Sequence, residues 1–158
     1  MNSASEREYT IFDLSRLTGI SDRTLRKYIR EGKLDGELKS GRWLFRYEQI
    51  RSFISDPGME STFKLMRASV YSRYVSENRF DKPLRFVYLD IPSCDEATLR
   101  ELIESAAFPS PIRGVTYSFY ISKGTAHITY YGQNEDLANM KKYMYGRYPN
   151  IVRTLGGK

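Results

Sequence analysis

Apolar residues between Leu14 and Leu34 recur at helical spacing in two sets, Leu14, Leu17 and Ile20, then Leu25, Tyr28 and Ile29. Gly19 falls where the first set must stop, and glycine takes the left-handed conformation that closes a helix. Ser21 follows as an N-cap for the second set. The spacing therefore predicts two short helices joined by a tight turn. Thr10 and Asp13 open the first as a capping box, it runs to about Thr18, and Gly32 marks the end of the second. Arg23, Arg26, Lys27 and Arg30 fall away from the apolar face of the second helix. Alternation from Lys33 to Tyr47, turning at Ser40-Gly41, predicts a hairpin. Tyr47 to Ser55 resumes a helical period through Ile50, Phe53 and Ile54, closing a small core over Leu14, Leu17, Leu25 and Ile29.

Asp56-Pro57-Gly58 punctuates the pattern. Met59 to Asn78 then reads as one helix of about 20 residues, or ~30 Å, with Phe63, Met66, Val70 and Tyr74 on one side. It serves either to pair two copies of the chain or to cover the sheet of the C-terminal unit. Arg79 to Pro83 is a connector. The remainder predicts a strand at Leu84–Ile91 and a helix from Asp95 to Phe108, capped by Ser93 and broken by Pro109 and Pro111. Strands at Val115–Ile121 and Thr125–Tyr131 turn at Ser122-Lys123-Gly124. A helix capped by Asn134 and a last strand at Ile151–Leu155 complete the pattern. The order βαββαβ is ferredoxin-like, with both helices on one face of the sheet and the other face free. The class is α+β, with units at 1–56, 57–83 and 84–158.

Composition narrows the function classes. Net charge is +6 with a pI near 9.4, which favours a polyanionic partner. Residues 1–56 hold 11 basic and 9 acidic residues, so any cationic face depends on distribution. That distribution puts Asp13, Asp35, Glu37 and Asp56 away from a face formed by Arg26, Arg30, Lys39 and Arg42. The single cysteine excludes an intrachain disulfide. No apolar run approaches the ~20 residues of a membrane span, and the N-terminus lacks the apolar core of a signal peptide. These features predict a cytoplasmic, nucleoid-associated protein without a membrane partner.

The segment Ser21-Asp22-Arg23-Thr24-Leu25-Arg26-Lys27-Tyr28-Ile29-Arg30-Glu31-Gly32-Lys33-Leu34 resembles the recognition segment of MerR-type regulators. Gly41-Arg42-Trp43-Leu44-Phe45-Arg46-Tyr47, followed by apolar Ile50, Phe53 and Ile54, is similar to the compact excisionase-like branch. The resemblance spans about residues 9–55. Lys27 stands where the family commonly has tyrosine, and Ile29 where it has an acidic or polar residue. The resemblance implies a winged helix-turn-helix that binds double-stranded DNA. Its contacts would come from Ser21, Arg23, Thr24, Arg26, Lys27 and Arg30 on the second helix. Arg23 and Arg26 suit base edges, since the guanidinium fork matches guanine. Lys39, Arg42, Trp43 and Arg46 on the hairpin would reach the backbone as a wing.

These features together point to a transcriptional regulator acting as a homodimer, with the C-terminal unit serving self-association or a small-molecule effector. Tyrosines alternate along the C-terminal strands, and Tyr88, Tyr117 and Tyr130 are the candidate ligand contacts. One alternative is an architectural protein using the helix-turn-helix for assembly. Another is an RNA-binding adaptor, because Val87–Ile91 and Lys123–Tyr130 faintly resemble the sheet motifs of RNA-recognition domains, with Tyr88 and Tyr130 as stacking aromatics. Catalysis is not signalled. His127 is the sole histidine, Cys94 at a helix start reads as an inert apolar residue, and no phosphate loop, nucleophile elbow or metal spacing occurs. No cofactor and no metal are expected.

Overall fold

The computed structural model describes residues 7–76, 83–107 and 114–156. The chain opens with a short strand β1 (Tyr9–Thr10) and helix α1 (Ile11–Thr18). Thr10 caps α1 reciprocally. The Asp13 N–H donates to Thr10 Oγ1 at 3.1 Å and the Thr10 N–H to Asp13 Oδ2 at 2.9 Å. Gly19 closes α1 at φ +78°, as its position predicts. Helix α2 (Asp22–Arg30) follows, with Ser21 Oγ accepting from the Thr24 N–H. Strands β2 (Glu37–Lys39) and β3 (Arg42–Phe45) form the expected hairpin. Ser40 and Gly41 both have positive φ, the primed geometry that matches strand twist in a two-residue turn. β1 pairs with the far side of β3, a pairing without a signal in the sequence, because two residues are too few to show a period. Helix α3 (Tyr47–Ile54) closes the unit, burying Ile50, Phe53 and Ile54 with Leu14, Leu17 and Leu25.

The single helix expected over Met59–Asn78 is not formed. A 3-10 turn (Pro57–Met59) leads into α4 (Glu60–Ala68), and α5 (Val70–Ser76) follows after a break at Ser69. There the Ser69 hydroxyl and N–H both donate to the Met66 carbonyl, which tightens the last turn. Residues 77–82 lie outside the described residues, and with them the predicted helix end and most of the connector.

Strands β4 (Leu84–Ile91), β5 (Thr116–Ser122) and β6 (Thr125–Gln133) build an antiparallel sheet in the order β4-β6-β5. Lys123 and Gly124 turn the hairpin with positive φ. Between β4 and β5 runs α6 (Glu96–Ala107), and α7 (Asn134–Arg147) and α8 (Pro149–Leu155) come after the sheet. Asp95 caps α6, accepting from the Thr98 N–H at 2.8 Å, whereas Ser93, expected as the cap, sits in the preceding turn at φ +51°. Phe108, Pro109 and Pro111, predicted to end this helix, lie outside the described residues. Asn134 is the first residue of α7 rather than its cap.

The predicted fourth strand at Ile151–Leu155 is instead α8, so the ferredoxin-like sheet lacks its last strand among the described residues. Long-range capping decides the outcome. Pro149 suits a first helical turn, and Glu101 on α6 accepts from the N–H groups of Asn150 (2.8 Å) and Ile151 (3.0 Å). Ile151 is fully buried.

The free sheet face is a second correction. Pairing puts Phe86, Tyr88, Asp90, Ser118, Tyr120, His127 and Tyr131 on one face, and α4 and α5 lie across it. Phe63 stacks on Tyr120 at 5.6 Å, Tyr74 packs edge-on to Phe86 at 5.2 Å, and Arg67 reaches Asp90 at 2.6 Å and His127 at 2.9 Å. The apolar side of this helical segment thus meets the chain's own sheet. The opposite face carries Val87, Leu89, Tyr117, Phe119, Ile128 and Tyr130 and looks toward α6, α7 and α8. One continuous apolar core joins Leu14, Leu25 and Ile50 to Ile103, Phe119 and Ile151. α1 packs against β5 and α6, bringing Gly19 so close to β5 that a Cβ there would lie 2.6 Å from the Tyr117 carbonyl oxygen.

Candidate nucleic-acid interface

α2 turns Leu25 into the core at no exposure and leaves Arg23, Arg26, Lys27 and Arg30 in solvent. Spacings of three, four and seven residues put Arg23, Arg26 and Arg30 on one strip. With Asp22 they line a single open depression. Arg26 Nε donates to Asp22 Oδ1 at 2.7 Å, and Lys27 Nζ stands 3.9 Å from Glu31. Both pairs are exposed, and such pairs contribute about 0–1 kcal/mol, so an incoming phosphate can displace them at little cost. Arg23 makes no ion pair among the described residues. Glu31 is held below the usual carboxylate range, first by its hydrogen bond from Lys33, then by the charges of Lys33, Lys27 and Arg30.

Ser21 and Thr24 are engaged with each other at the helix start, the Ser21 hydroxyl donating to Thr24 Oγ1 at 3.0 Å. Their position at the N-terminus of α2 still presents them beside Arg23.

The hairpin is less cationic than its sequence suggests. Arg42 is exposed and makes no ion pair among the described residues. Lys39, however, meets Glu8 at 3.0 Å and Glu37 at 3.5 Å, and Arg46 stands 3.8 Å from Glu37. The Glu8 carboxylate, aided by Glu37, holds the Lys39 ammonium above its ordinary range. Glu37, expected away from the cationic face, is placed by β2 among these cations. Asp13 does turn away. Asp13 is buried in its capping box, and Asp56 accepts from the Gly58 N–H at 2.9 Å. Trp43 is half-buried and packs on the core.

Contacts with no local signature in the sequence hold this surface on the rest of the chain. Glu96 accepts from Tyr47 Oη at 2.9 Å and from Arg51 Nε at 2.6 Å, and the Arg100 guanidinium lies 3.8 Å over the Tyr47 ring. Burial, then the Glu96 carboxylate, raises the Tyr47 phenol well above the usual tyrosine range, so it stays a donor. Arg7 reaches Glu104 at 3.0 Å. α3 and α6 are thereby tied together, and α6 packs on α1.

The three candidate ligand tyrosines separate. Tyr117 and Tyr130 share one sheet face, 6.2 Å between ring centroids, and both line a cavity of about 500 Å³ beneath α6 and α7. Tyr88 is on the other face, half-exposed beneath Arg67. Strand alternation therefore removes it from that site. The same register contradicts the RNA platform, because Tyr88 and Tyr130 point to opposite sides of the sheet. His127 is engaged by Asp90 at 2.8 Å and stacked on Tyr120 at 4.6 Å. Burial, then Asp95 and Glu96, raises the Cys94 thiol, which disfavours a thiolate.

Among the described residues no helix is long and apolar enough to cross a membrane. No curated protein and no solved structure matches the chain. The architecture of the first unit agrees with its sequence affinity: a family model described as a helix-turn-helix domain matches residues 8–56, so the cationic helix α2 stands as the second helix of a helix-turn-helix.

Proposed function

We propose that this chain is a sequence-specific, double-stranded-DNA-binding transcriptional regulator of the MerR/excisionase-like type, acting without catalysis. The observation that carries the reading is the open strip of Arg23, Arg26 and Arg30 on an exposed helix held by a packed partner. A helix of that kind enters the major groove with its N-terminal residues toward base edges. Ser21, Arg23, Thr24 and Arg26 occupy that end, and Lys27 and Arg30 face phosphates. The β2–β3 hairpin then acts as a wing in which Arg42 leads, with Lys39 and Arg46 exchanging Glu37 for phosphate. The single closing helix α3 favours the excisionase-like branch over full MerR regulators. On this reading the protein acts on nucleoid DNA in the cytoplasm.

The chain works as a homodimer on an inverted repeat, with its two recognition helices about one DNA turn apart, ~34–36 Å. Support comes from β4, an edge strand of the sheet, flanked by exposed Tyr71, Val75 and Tyr88. A strand edge unpaired among the described residues, beside apolar side chains, is a template for a second copy.

Selection of the full chain against a random duplex library tests the reading. Enrichment of an inverted repeat is expected, and the double variant Arg26→Ala/Arg30→Ala should no longer retard the selected duplex while keeping its circular dichroism. A library that enriches nothing, with oligomers forming regardless of DNA, would instead indicate an architectural assembly protein.

A further inference from the structure

A cavity between the C-terminal sheet and helices α6, α7 and α8 is left unused by the DNA-binding reading. Its volume, about 500 Å³, falls in the range of small-molecule sites. Val87, Leu89, Leu102, Phe119, Ile128 and Met140 give it an apolar floor. Met140 and Met144 add adaptable walls, because an unbranched thioether repacks around varied shapes. Its charged and polar lining includes Arg85, Lys141, Tyr117, Tyr130 and Tyr145.

Charge sets the class of occupant. Two cations line the cavity and no carboxylate does, among the described residues. Arg85 is exposed, makes no ion pair there, and stands near enough to Tyr130 to affect its hydroxyl. Among the described residues Lys141 has no carboxylate partner either, and it rests 5.4 Å over the Tyr145 ring. A neutral apolar ligand would leave these cations unused, and a cationic one would be repelled. The Tyr117 hydroxyl, meanwhile, donates to Met140 Sδ at 2.8 Å, a weak acceptor that a ligand oxygen can replace.

Tyr117 also connects the cavity to α2. Its side chain lines the cavity, and its backbone carbonyl abuts Gly19, the residue that turns α1 into α2. A shift of β5 at Tyr117 therefore meets the helix-turn-helix directly.

We propose that this cavity binds a small amphipathic monoanion, an aryl or medium-chain alkyl body ending in a carboxylate, with the carboxylate between Arg85 and Lys141. Its occupation changes DNA affinity through Tyr117 and Gly19, and this second part rests on the DNA-binding reading. Calorimetric titration of the full chain, without DNA, uses 2-naphthoate as probe and 2-naphthamide as its neutral isostere. Saturable one-to-one binding is expected, at least tenfold tighter for the acid. Arg85→Ala/Lys141→Ala changes only exposed side chains and should reduce that preference to near unity. Absence of saturable binding, equal binding of acid and amide, or a preference surviving the double substitution would overturn the site.

The coupling is read separately, on a duplex the free protein retards. Saturating 2-naphthoate should change affinity at least fivefold, and an unchanged affinity would overturn the coupling while leaving the site standing. A protein that binds the acid but no duplex would refute the DNA-binding reading alone.

Discussion

Gly19 concentrates several demands in one residue. It sits at φ +78°, closes α1, and passes the Tyr117 carbonyl with no room for a side chain. A left-handed non-glycine residue costs about 1–2 kcal/mol, and the 2.6 Å approach forces β5 or the turn to move as well. Gly19→Ala should therefore lower the urea midpoint by more than the backbone term alone, whereas Gly32→Ala, at φ +75° with open space around it, should show the backbone term only. Equal losses in the two variants would show that the approach to Tyr117 does not matter. The conformational need of Gly19 is legible from its place between two apolar periods. Its tertiary contact is not, because nothing local links residue 19 to residue 117. The cations divide in the same way. Their outward direction on α2 follows from helical period, but the insertion of Glu37 among Lys39 and Arg46 follows from strand register, which the sequence leaves open.

Local signals specify the elements best where a cap and a period agree, as in α1, α2, the β2–β3 hairpin and α3. They fail where a distant residue chooses the state. α8 is the plainest case. Ile151–Leu155 has the apolar content of a strand, yet the Glu101 carboxylate accepts from two backbone N–H groups at a helix start. Glu101→Ala should destabilise by about 1–2 kcal/mol, the usual cost of losing a helix cap, read as a lower melting temperature. An unchanged melt would deny the cap its role. Asp95 gives the same pair of helices a pH dependence. The Thr98 backbone N–H, then Arg153 on α8, lowers its carboxyl from the ordinary 3.8 to about 2. Because the folded value lies below the unfolded one, the stabilisation is complete above the ordinary carboxylate range and is lost as pH falls toward 2. Wild type should exceed Asp95→Asn in stability at pH 6, and the two should converge by about pH 2. A constant difference across that window would contradict the assignment.

At the scale of the molecule, the helix-turn-helix and the C-terminal sheet share a core, and Phe63 is the bridge. It meets Phe53 on α3 edge-on and Tyr120 on β5 face-on, both at 5.6 Å. Phe63→Ala should cost about 3–5 kcal/mol. The fluorescence of Trp43, the only tryptophan, should report the same unfolding transition as far-ultraviolet circular dichroism. Separate transitions would mean that the units fold independently. The sequence shows the helical period of residues 59–76 without its destination, since an apolar stripe looks alike whether it meets a second copy or the chain's own sheet. α1, which packs on α2, also packs on β5 and α6. The central claim is that α2 offers its arginines to duplex DNA, and fluorescence anisotropy of a labelled duplex, titrated at several salt concentrations, tests it most directly. If Lys27, Arg30, Lys39, Arg42 and Arg46 each neutralise a phosphate, the log–log salt slope should lie near −4.5, from about −0.9 per contact. Arg30→Ala should reduce that slope by about one. Salt-independent affinity, or a slope untouched by removing these cations, would contradict the account.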